Sequence, residues 1–344
     1  MQVLKRVACL AAGLGVLLML PGPQISLHGQ QDAPQRGGRG RGQAPPPLIV
    51  WAPMPVQPIT WVAPNKPIWK VKDLLAKHKS EQNWTEVVVN DNLFHAEYIS
   101  MAPGARTPKK FYPENRAFWM VQDGQIRFTI DGQEPFVASK GFLVQVPRRN
   151  MFSMETVGDK PSLRVEVTMA NSYDKAMYAA DETPTPRPGV KYIKFRDDPQ
   201  KGAYDDANVP YIDYNQTIAG HPVTKRNQSQ WIGDPHGIAN IIRGNPATQA
   251  PANPVNKGHF HLSGPEWWLI PEGSLEWTME TNKPGSKISV VADQGDIVYA
   301  PAQVWHNIRF AGTGMATRIA IVGYENSHVY QTPDELGGNA GGVE

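Results

Sequence analysis

The chain has 344 residues, of which 34 are Lys or Arg and 32 are Asp or Glu, so its formal net charge is +2. A charge this small argues against nucleic acid as a partner, because nucleic-acid-binding domains carry a strong, clustered basic excess. The only cysteine is Cys9, which excludes disulfides, zinc ribbons and thiol nucleophiles. Frequent Pro and Gly residues indicate a turn-rich globular protein, and the length favours two domains.

Residues 1–28 have the pattern of an export signal. Lys5 and Arg6 precede an apolar run from Val7 to Leu20, which Pro21 ends. The run is shorter than the roughly 20 residues that a membrane-spanning helix needs. We therefore predict a periplasmic or secreted protein with no stable membrane span after signal cleavage. An uncleaved N-terminal anchor is the alternative.

Residues 29–66 read as a Pro/Gly-rich linker followed by an arm. The stretch from Gln30 to Pro47 is of low complexity, which predicts a flexible tether. The arm stays rich in proline but carries Trp51 and Trp61. We expect it to lie extended against the folded body and to bury its rings, together with that of Trp69. A short helix is predicted over 71–78.

Strand-like runs fill most of the remaining chain and predict an all-β fold. They are short, rich in β-branched and aromatic residues, and separated by Gly or Asp-Gly turns. They fall into two sets: 94–101, 118–122, 125–130, 142–146 and 163–168, then 267–270, 274–280, 287–292, 296–300, 306–310 and 316–322. We assign 67–180 to a first barrel, 181–230 to a connection, 231–330 to a second barrel and 331–344 to a flexible tail.

Three histidines and one glutamate form the most informative pattern in the chain. His259 and His261 are two residues apart, so both imidazoles point to the same face of a strand. Glu266 follows after a short corner that can return its carboxylate to them. His306 comes about forty residues later and would add a third imidazole from a neighbouring strand. Such a set suits a divalent transition metal and leaves coordination positions open.

The spacing of these residues resembles the two motifs of the cupin superfamily. The matching patterns are His259-x-His261-x4-Glu266-x6-Gly273 and Gly295-x5-Pro301-x4-His306. All four metal-ligating positions of the family are present. The departures are Asn253 at the leading Gly of the first motif, Gln303 at the inner Gly of the second, and Phe310 at its final Asn. They concern the shape of loops more than metal binding, and the resemblance implies a β-barrel of jelly-roll type.

A second copy of the two motifs lies earlier in the chain and lacks the metal ligands. Lys110 aligns with His259, Tyr112 with His261, Ala117 with Glu266 and Phe152 with His306, whereas the Gly and Pro residues of the turns persist. The chain thus resembles a bicupin with a ligand-less first barrel and a metal-binding second barrel. The first barrel is expected to be a scaffold, a dimer-like partner for the second barrel or a ligand cleft, and an active site that uses Lys110 or Tyr112 is the alternative.

Strand alternation also predicts the lining of a pocket beside the metal. Counted from Glu266 and His306, the inward-facing residues are Trp268, Ile270, Ile308 and Phe310. An apolar, aromatic wall favours a small organic substrate with an aromatic part. His236 is a candidate acid/base group, and a surface turn is the alternative for it.

The function expected from these residues is that of an exported, metal-dependent enzyme of the oxygenase type. The donor set suits iron or manganese and accepts zinc, nickel, copper or cobalt as well. The fold does not fix the reaction, so a lyase, decarboxylase or isomerase with the same ligands is an alternative. A non-catalytic, periplasmic small-molecule-binding protein is another. Whether the protein is a homo-oligomer stays open.

Overall fold

A computed structural model describes residues 50–184, 186–198, 200–249, 257–323 and 327–339. The predicted export signal and the whole low-complexity stretch from Gln30 to Pro47 lie outside these residues. Within them, no helix has both the length and the apolar composition to cross a membrane.

The first half of the described chain holds twelve strands and two short helices. They are β1 (Ile68–Trp69), α1 (Val71–Lys77), β2 (Trp84–Asn90), β3 (Phe94–Met101), β4 (Lys110–Phe111), β5 (Ala117–Asp123), β6 (Gln125–Ile130), β7 (Phe136–Ser139), β8 (Phe142–Val146), β9 (Phe152–Val157), β10 (Ser162–Met169), β11 (Met177–Tyr178), β12 (Tyr211–Asp213) and α2 (Tyr214–Ala219).

The second half holds ten further strands and a third helix. They are β13 (Asn227–Gly233), β14 (Ile238–Gly244), β15 (Phe260–His261), β16 (Glu266–Glu272), β17 (Ser274–Glu280), β18 (Ile288–Asp293), β19 (Ile297–Ala300), β20 (Trp305–Phe310), β21 (Ala316–Val322), β22 (His328–Val329) and α3 (Pro333–Asn339). The all-β prediction is confirmed.

The strands form two tandem barrels with the same strand order. The first barrel pairs a sheet β12-β8-β5-β10-β3-β2 with a sheet β11-β4-β9-β6-β7. In the second barrel the corresponding sheet is β1-β19-β16-β21-β14-β13, and it faces β18-β17-β20 and the pair β15-β22. A bridge between His259 and His306 joins β20 to the residue before β15.

In each barrel one edge strand lies far along the chain from the other strands. β1 precedes the first barrel but pairs with β19 of the second, and β12 follows the first barrel and pairs with β8 of that barrel. The sequence-based range 67–180 places β1 in the first barrel instead. A strand of two residues carries no signal that shows which sheet edge it joins.

The N-terminal arm lies partly as expected. Trp61 packs against the cores of the molecule, and its indole Nε1 donates a hydrogen bond of 2.9 Å to the carbonyl oxygen of Tyr299. Trp69 is also partly buried. The expectation is wrong for Trp51, whose side chain is 76% exposed.

Glycines at matching turns hold the two barrels to one backbone path. Gly124 and Gly273 both have positive φ values, +70° and +66°. A Cβ atom at Gly273 would come within 2.3 Å of the carbonyl oxygen of Met315, so no other residue fits without a shift of the backbone.

The described residues form three hydrophobic cores. One lies between the barrels, where Phe94 meets Trp267 and Phe118 meets Trp231 with ring-centroid distances of 6.4 and 5.2 Å. The other two fill the interiors of the first and second barrel. The functional cluster lies at one end of the second interior.

Candidate metal centre

The structure brings the four motif residues of the second barrel together. One ligand atom each from His259, His261, Glu266 and His306 can be chosen so that all four lie within 4.8 Å of one another. Glu266, His261 and His306 are buried, whereas the side chain of His259 is 21% exposed. The cluster is therefore open to solvent on the His259 side.

Backbone pairing explains why these side chains meet. The N–H of His259 donates to the carbonyl oxygen of His306 (3.0 Å), and the N–H of His306 donates back to His259 (2.8 Å). His261 follows two residues later on the same strand face. Glu266 begins β16 after the Ser263–Pro265 corner, which turns its carboxylate toward the imidazoles.

Hydrogen bonds to the backbone fix the tautomers of two of the rings. Nδ1 of His261 lies 3.1 Å from the carbonyl oxygen of Ser327, and Nδ1 of His306 lies 3.1 Å from that of Val304. A carbonyl oxygen can only accept, so both Nδ1 atoms carry the proton. In the neutral rings Nε2 then carries a lone pair, and both Nε2 atoms point at Glu266.

The electrostatics of the cluster favour a neutral ring beside an ionised acid. Burial lowers the pKa of His259 to about 4, and the nearby His306 adds to the shift. Burial by itself would raise the pKa of Glu266, but its contacts with the three imidazoles outweigh this and hold the pKa well below its usual range. At neutral pH Glu266 is thus a carboxylate and His259 an uncharged imidazole.

Known proteins are similar to this chain in structure but not in sequence. No family model and no curated protein matches the sequence. A variant of salicylate 1,2-dioxygenase from Pseudoaminobacter salicylatoxidans matches with a TM-score of 0.55 and 16% identity over 78% of this chain and 86% of that chain. The same dioxygenase from Pseudaminobacter salicylatoxidans has a TM-score of 0.54 and 14% identity, with 74% and 83% covered. A further variant, in complex with gentisate, has a TM-score of 0.53 and 14% identity, with 74% and 80% covered.

The chain folds as a bicupin. Identities this low show the fold alone, so the chemistry of this bicupin has to be argued from its own residues.

The corresponding place in the first barrel holds a different polar cluster. Tyr112 donates a hydrogen bond of 2.9 Å to Glu166, and Lys110 Nζ lies 3.8 Å from the same carboxylate. Arg164 Nε lies 3.7 Å from its other oxygen. Among the described residues, neither that oxygen nor Arg164 Nε has a hydrogen-bond partner. The predicted loss of the metal ligands is thus accompanied by a buried ion cluster around Glu166, which spacing alone did not reveal.

The predicted pocket residues lie inside or against the core of the second barrel. Trp268 and Ile270 are fully buried there, Phe310 is buried, and Ile308 is partly buried against the same core. The Trp268 ring lies 5.0 Å from that of His306, between ring centroids. Their role in binding a substrate stays a prediction.

His236 is not part of the cluster. It lies exposed in the turn between β13 and β14, where its backbone N–H donates to Asp234 (2.9 Å). It lines a separate cavity of about 370 Å³, together with Arg116 and Arg148 of the first barrel. The surface-turn alternative describes its position.

Two aromatic residues missed by the sequence reasoning flank the cluster. The ring of His328 lies 4.5 Å from that of His259 and 4.6 Å from that of His261, measured between centroids. Tyr330 lies 5.6 Å from His259 and stacks on His328 at 6.0 Å. Both residues follow the last predicted strand and match no motif, so only the pairing of β15 with β22 brings them to the site.

Arg318 is a third residue that the sequence reasoning missed. Alternation along β21 places it on the same face as Ala320, toward the interior of the second barrel. Its Nε is buried without a hydrogen-bond partner among the described residues. Burial lowers the pKa of Arg318 to about 9, with a further contribution from Arg226, while Glu266 opposes the shift. The repeat alignment could have indicated Arg318, because Arg164 lies at the equivalent position of the first barrel.

Gln303 explains one departure from the cupin motif. It stands where the family has Gly, and it adopts the left-handed conformation that glycine favours, with φ of 65°. Its backbone N–H donates to His261 (2.7 Å) and its side-chain amide to Leu262 (3.2 Å). The turn thus keeps its shape and supports the metal-cluster strand without glycine.

Proposed function

We propose that this bicupin binds one divalent transition metal ion through His259, His261, Glu266 and His306. The observation that carries the proposal is the convergence of lone pairs on one point. Nε2 of His261 lies 2.8 Å and Nε2 of His306 lies 3.1 Å from the same carboxylate oxygen of Glu266. With neutral rings these atoms are acceptors facing an anion, so they approach the carboxylate this closely only with a cation, or a second proton on a ring, between them.

The donor set fits such an ion. Three imidazole nitrogens and one carboxylate accept iron, manganese, zinc, nickel, copper or cobalt, and of these we propose iron or manganese. The backbone hydrogen bonds to Nδ1 of His261 and His306 orient both rings, as is usual for histidine ligands. The fit depends on residues that the fold already holds in place.

The reaction that we propose is an oxygenase-type conversion of a small organic substrate. A redox-active ion held by His259, His261, Glu266 and His306 would supply Lewis acidity and electron transfer. The salicylate 1,2-dioxygenases have the same fold, so a bicupin can host a reaction of this class. A lyase, decarboxylase or isomerase reaction would use the same ligands and is the alternative.

The residues around the cluster suit a planar, anionic substrate. The exposed side of His259 opens toward His328 and Tyr330, whose rings offer flat apolar faces. Trp268 excludes water from the inner side. Arg318 carries a positive charge that no carboxylate of its own strand balances, so a substrate carboxylate would find a partner there.

Oxygen consumption tests the reaction class. We expect the iron-loaded protein to take up oxygen with one or more members of a panel of hydroxylated aromatic carboxylates, and His261→Ala to abolish the uptake. Full turnover under strict anoxia would exclude the oxygenase and favour the lyase or isomerase alternative. Saturable binding of a panel member without any turnover would identify a binding protein instead.

We also propose export to the periplasm or beyond, on the basis of residues 1–28 alone. N-terminal sequencing of the mature protein from the cell envelope or medium tests it. An intact Met1 in a cytosolic fraction would contradict it.

A further inference from the structure

Three adjacent strands of the second barrel have two different faces. On β15, β20 and β22, His261, His306 and His328 lie at or against the metal cluster. Their neighbours Phe260, Trp305 and Val329 point the other way, since side chains alternate along a strand. Phe260 and Val329 are directly paired across β15 and β22. The three strands are therefore a partition with the metal cluster on one side.

A cavity of about 910 Å³ lies on the other side of this partition. Phe260, Trp305 and Val329 line its floor, and Trp51 of the arm and Leu336 of α3 line its outer wall. The predicted substrate-pocket residues do not line it. Its volume is that of a site for a drug-sized molecule.

The walls of this cavity are held in place by specific contacts. The Asn282 side chain accepts from the backbone N–H of Ile59 (2.9 Å) and donates to the carbonyl oxygen of Gln57 (3.1 Å), which anchors the arm. Lys257 pairs with Glu335 at 2.6 Å and fixes α3. The arm and α3 are thus each tied to the second barrel by a contact next to the cavity.

The composition of the lining restricts what the cavity can hold. None of the described residues that line it carries a charged side chain. The polar side-chain groups present are a hydroxyl, amides and indole N–H donors, those of Thr281, Asn282, Gln303, Gln331, Trp51 and Trp305. A charged molecule would lose its hydration there without gaining an ionic partner, whereas an uncharged aromatic one would lose little.

We propose that this cavity is a second binding site, specific for an uncharged, apolar molecule with an aromatic ring. The site is separate from the metal cluster and does not rest on the proposed enzymatic function. The ligand would contact Trp51 and Trp305 in the same cavity, which makes its binding visible by fluorescence.

A matched pair of dyes tests the proposal in the full-length protein. N-phenyl-naphthylamine is neutral, and anilinonaphthalene sulfonate has the same ring system with a negative charge. We expect the neutral dye to bind with energy transfer from tryptophan, and the sulfonate to bind at least about tenfold more weakly. His261→Ala should leave the affinity for the neutral dye unchanged, even where it abolishes metal binding and activity.

Substitutions that fill the cavity locate the dye. Leu336→Trp and Leu262→Trp each add bulk to the lining and should weaken binding of the neutral dye at least about tenfold. Ile193→Trp, at a position 67% exposed elsewhere, should not change it. Equal affinity for both dyes, no binding of the neutral dye, or undiminished binding in a folded filling variant would overturn the proposal. Circular dichroism and melting curves establish which variants are folded.

Discussion

The two barrels share a backbone but differ in the side chains that decide chemistry. Glu166 lies opposite Trp119 in the first barrel, and Ala320 lies opposite Trp268 in the same register of the second. Strand order agrees throughout both pairs of sheets. The difference between the sites therefore does not come from the fold.

Each barrel has one buried carboxylate in its cluster, and the two carboxylates lie on non-equivalent, neighbouring strands. In the second barrel Glu266 begins β16, and Ala320 lies on the next strand opposite Trp268, two residues further along β16. In the first barrel the positions are reversed, with Ala117 on β5 and Glu166 on β10. One carboxylate faces three imidazoles, and the other is neutralised inside the protein by Lys110 and Arg164. Under the proposed function the first barrel balances its own charge and the second takes up a cation.

The two equivalent arginines show the same contrast. Arg164 lies 3.7 Å from Glu166, two residues along its own strand. Arg318 has Ala320 at that place, so its guanidinium lacks a carboxylate on β21. Under the proposed function the second barrel thus takes an anion as well as a cation, whereas in the first Arg164 and Glu166 lie beside each other.

The largest expected effect is the loss of metal from the second barrel alone. His261→Ala removes a ligand whose ring is fixed by Ser327, and should lower metal affinity at least about a hundredfold, because even residues that only support a ligand cost 10–100-fold. Elemental analysis should show the bound metal falling from near one equivalent to a small fraction. Tyr112→Phe, at the matching position of the first barrel, should retain the full equivalent. Retention of metal by His261→Ala would refute the assigned site.

Removing the first-barrel carboxylate should cost stability instead of metal. Glu166→Ala leaves Arg164 buried without its partner, which typically destabilises a protein by about 3–5 kcal/mol. Urea unfolding measures this change. Glu155→Ala, which breaks the exposed pair with Arg127, should cost less than about 1 kcal/mol. A Glu166→Ala variant as stable as the wild type would show that the cluster is not a stabilising one.

The same carboxylate predicts a pH dependence. Burial would raise the pKa of Glu166, but the charges of Lys110 and Arg164 outweigh it and lower the pKa below that of the unfolded chain. Its contribution to stability is therefore complete above the unfolded value, about 4.3, and is lost as pH falls through the lower folded value. The stability difference between wild type and Glu166→Ala should shrink over that acidic window. A constant difference would contradict the assignment.

Removing the proposed anion-binding residue of the second barrel, Arg318, should have a smaller effect. Arg318→Gln should weaken benzoate binding to the metal-loaded protein by about tenfold, corresponding to roughly 1.4 kcal/mol. Binding of the neutral analogue benzamide should stay unchanged, as measured by calorimetry. Arg127→Gln, on the surface of the first barrel, serves as the control. Equal losses for benzoate and benzamide would indicate a general structural defect and not charge recognition.

The sequence predicted what repeats locally and missed what depends on long-range pairing. Motif spacing was enough to single out His259, His261, Glu266 and His306, because alternation on a strand and a short corner restrict where those side chains can go. It could not find His328, which reaches the cluster only through a two-residue strand pair. Nor could it find Glu166, because a buried charge on a strand is not distinguished from an exposed one by local pattern.

The smallest effect concerns two turns that correspond in the two barrels. Arg149 and Gln303 both have positive φ, 59° and 65°, in place of the glycine that this conformation favours. Gln303→Gly relieves about 1 kcal/mol of backbone strain but loses an amide hydrogen bond and adds freedom to the unfolded chain, so the free energy of unfolding should change by less than about 1 kcal/mol. Arg149→Gly also loses two hydrogen bonds to Asp197, of 2.6 and 2.7 Å, and should cost about 2 kcal/mol. Parallel urea titrations measure both changes. Equal destabilisation of the two variants would show that backbone strain, and not the side-chain contacts, dominates at both turns. The first barrel would then not depend on Asp197 for its shape.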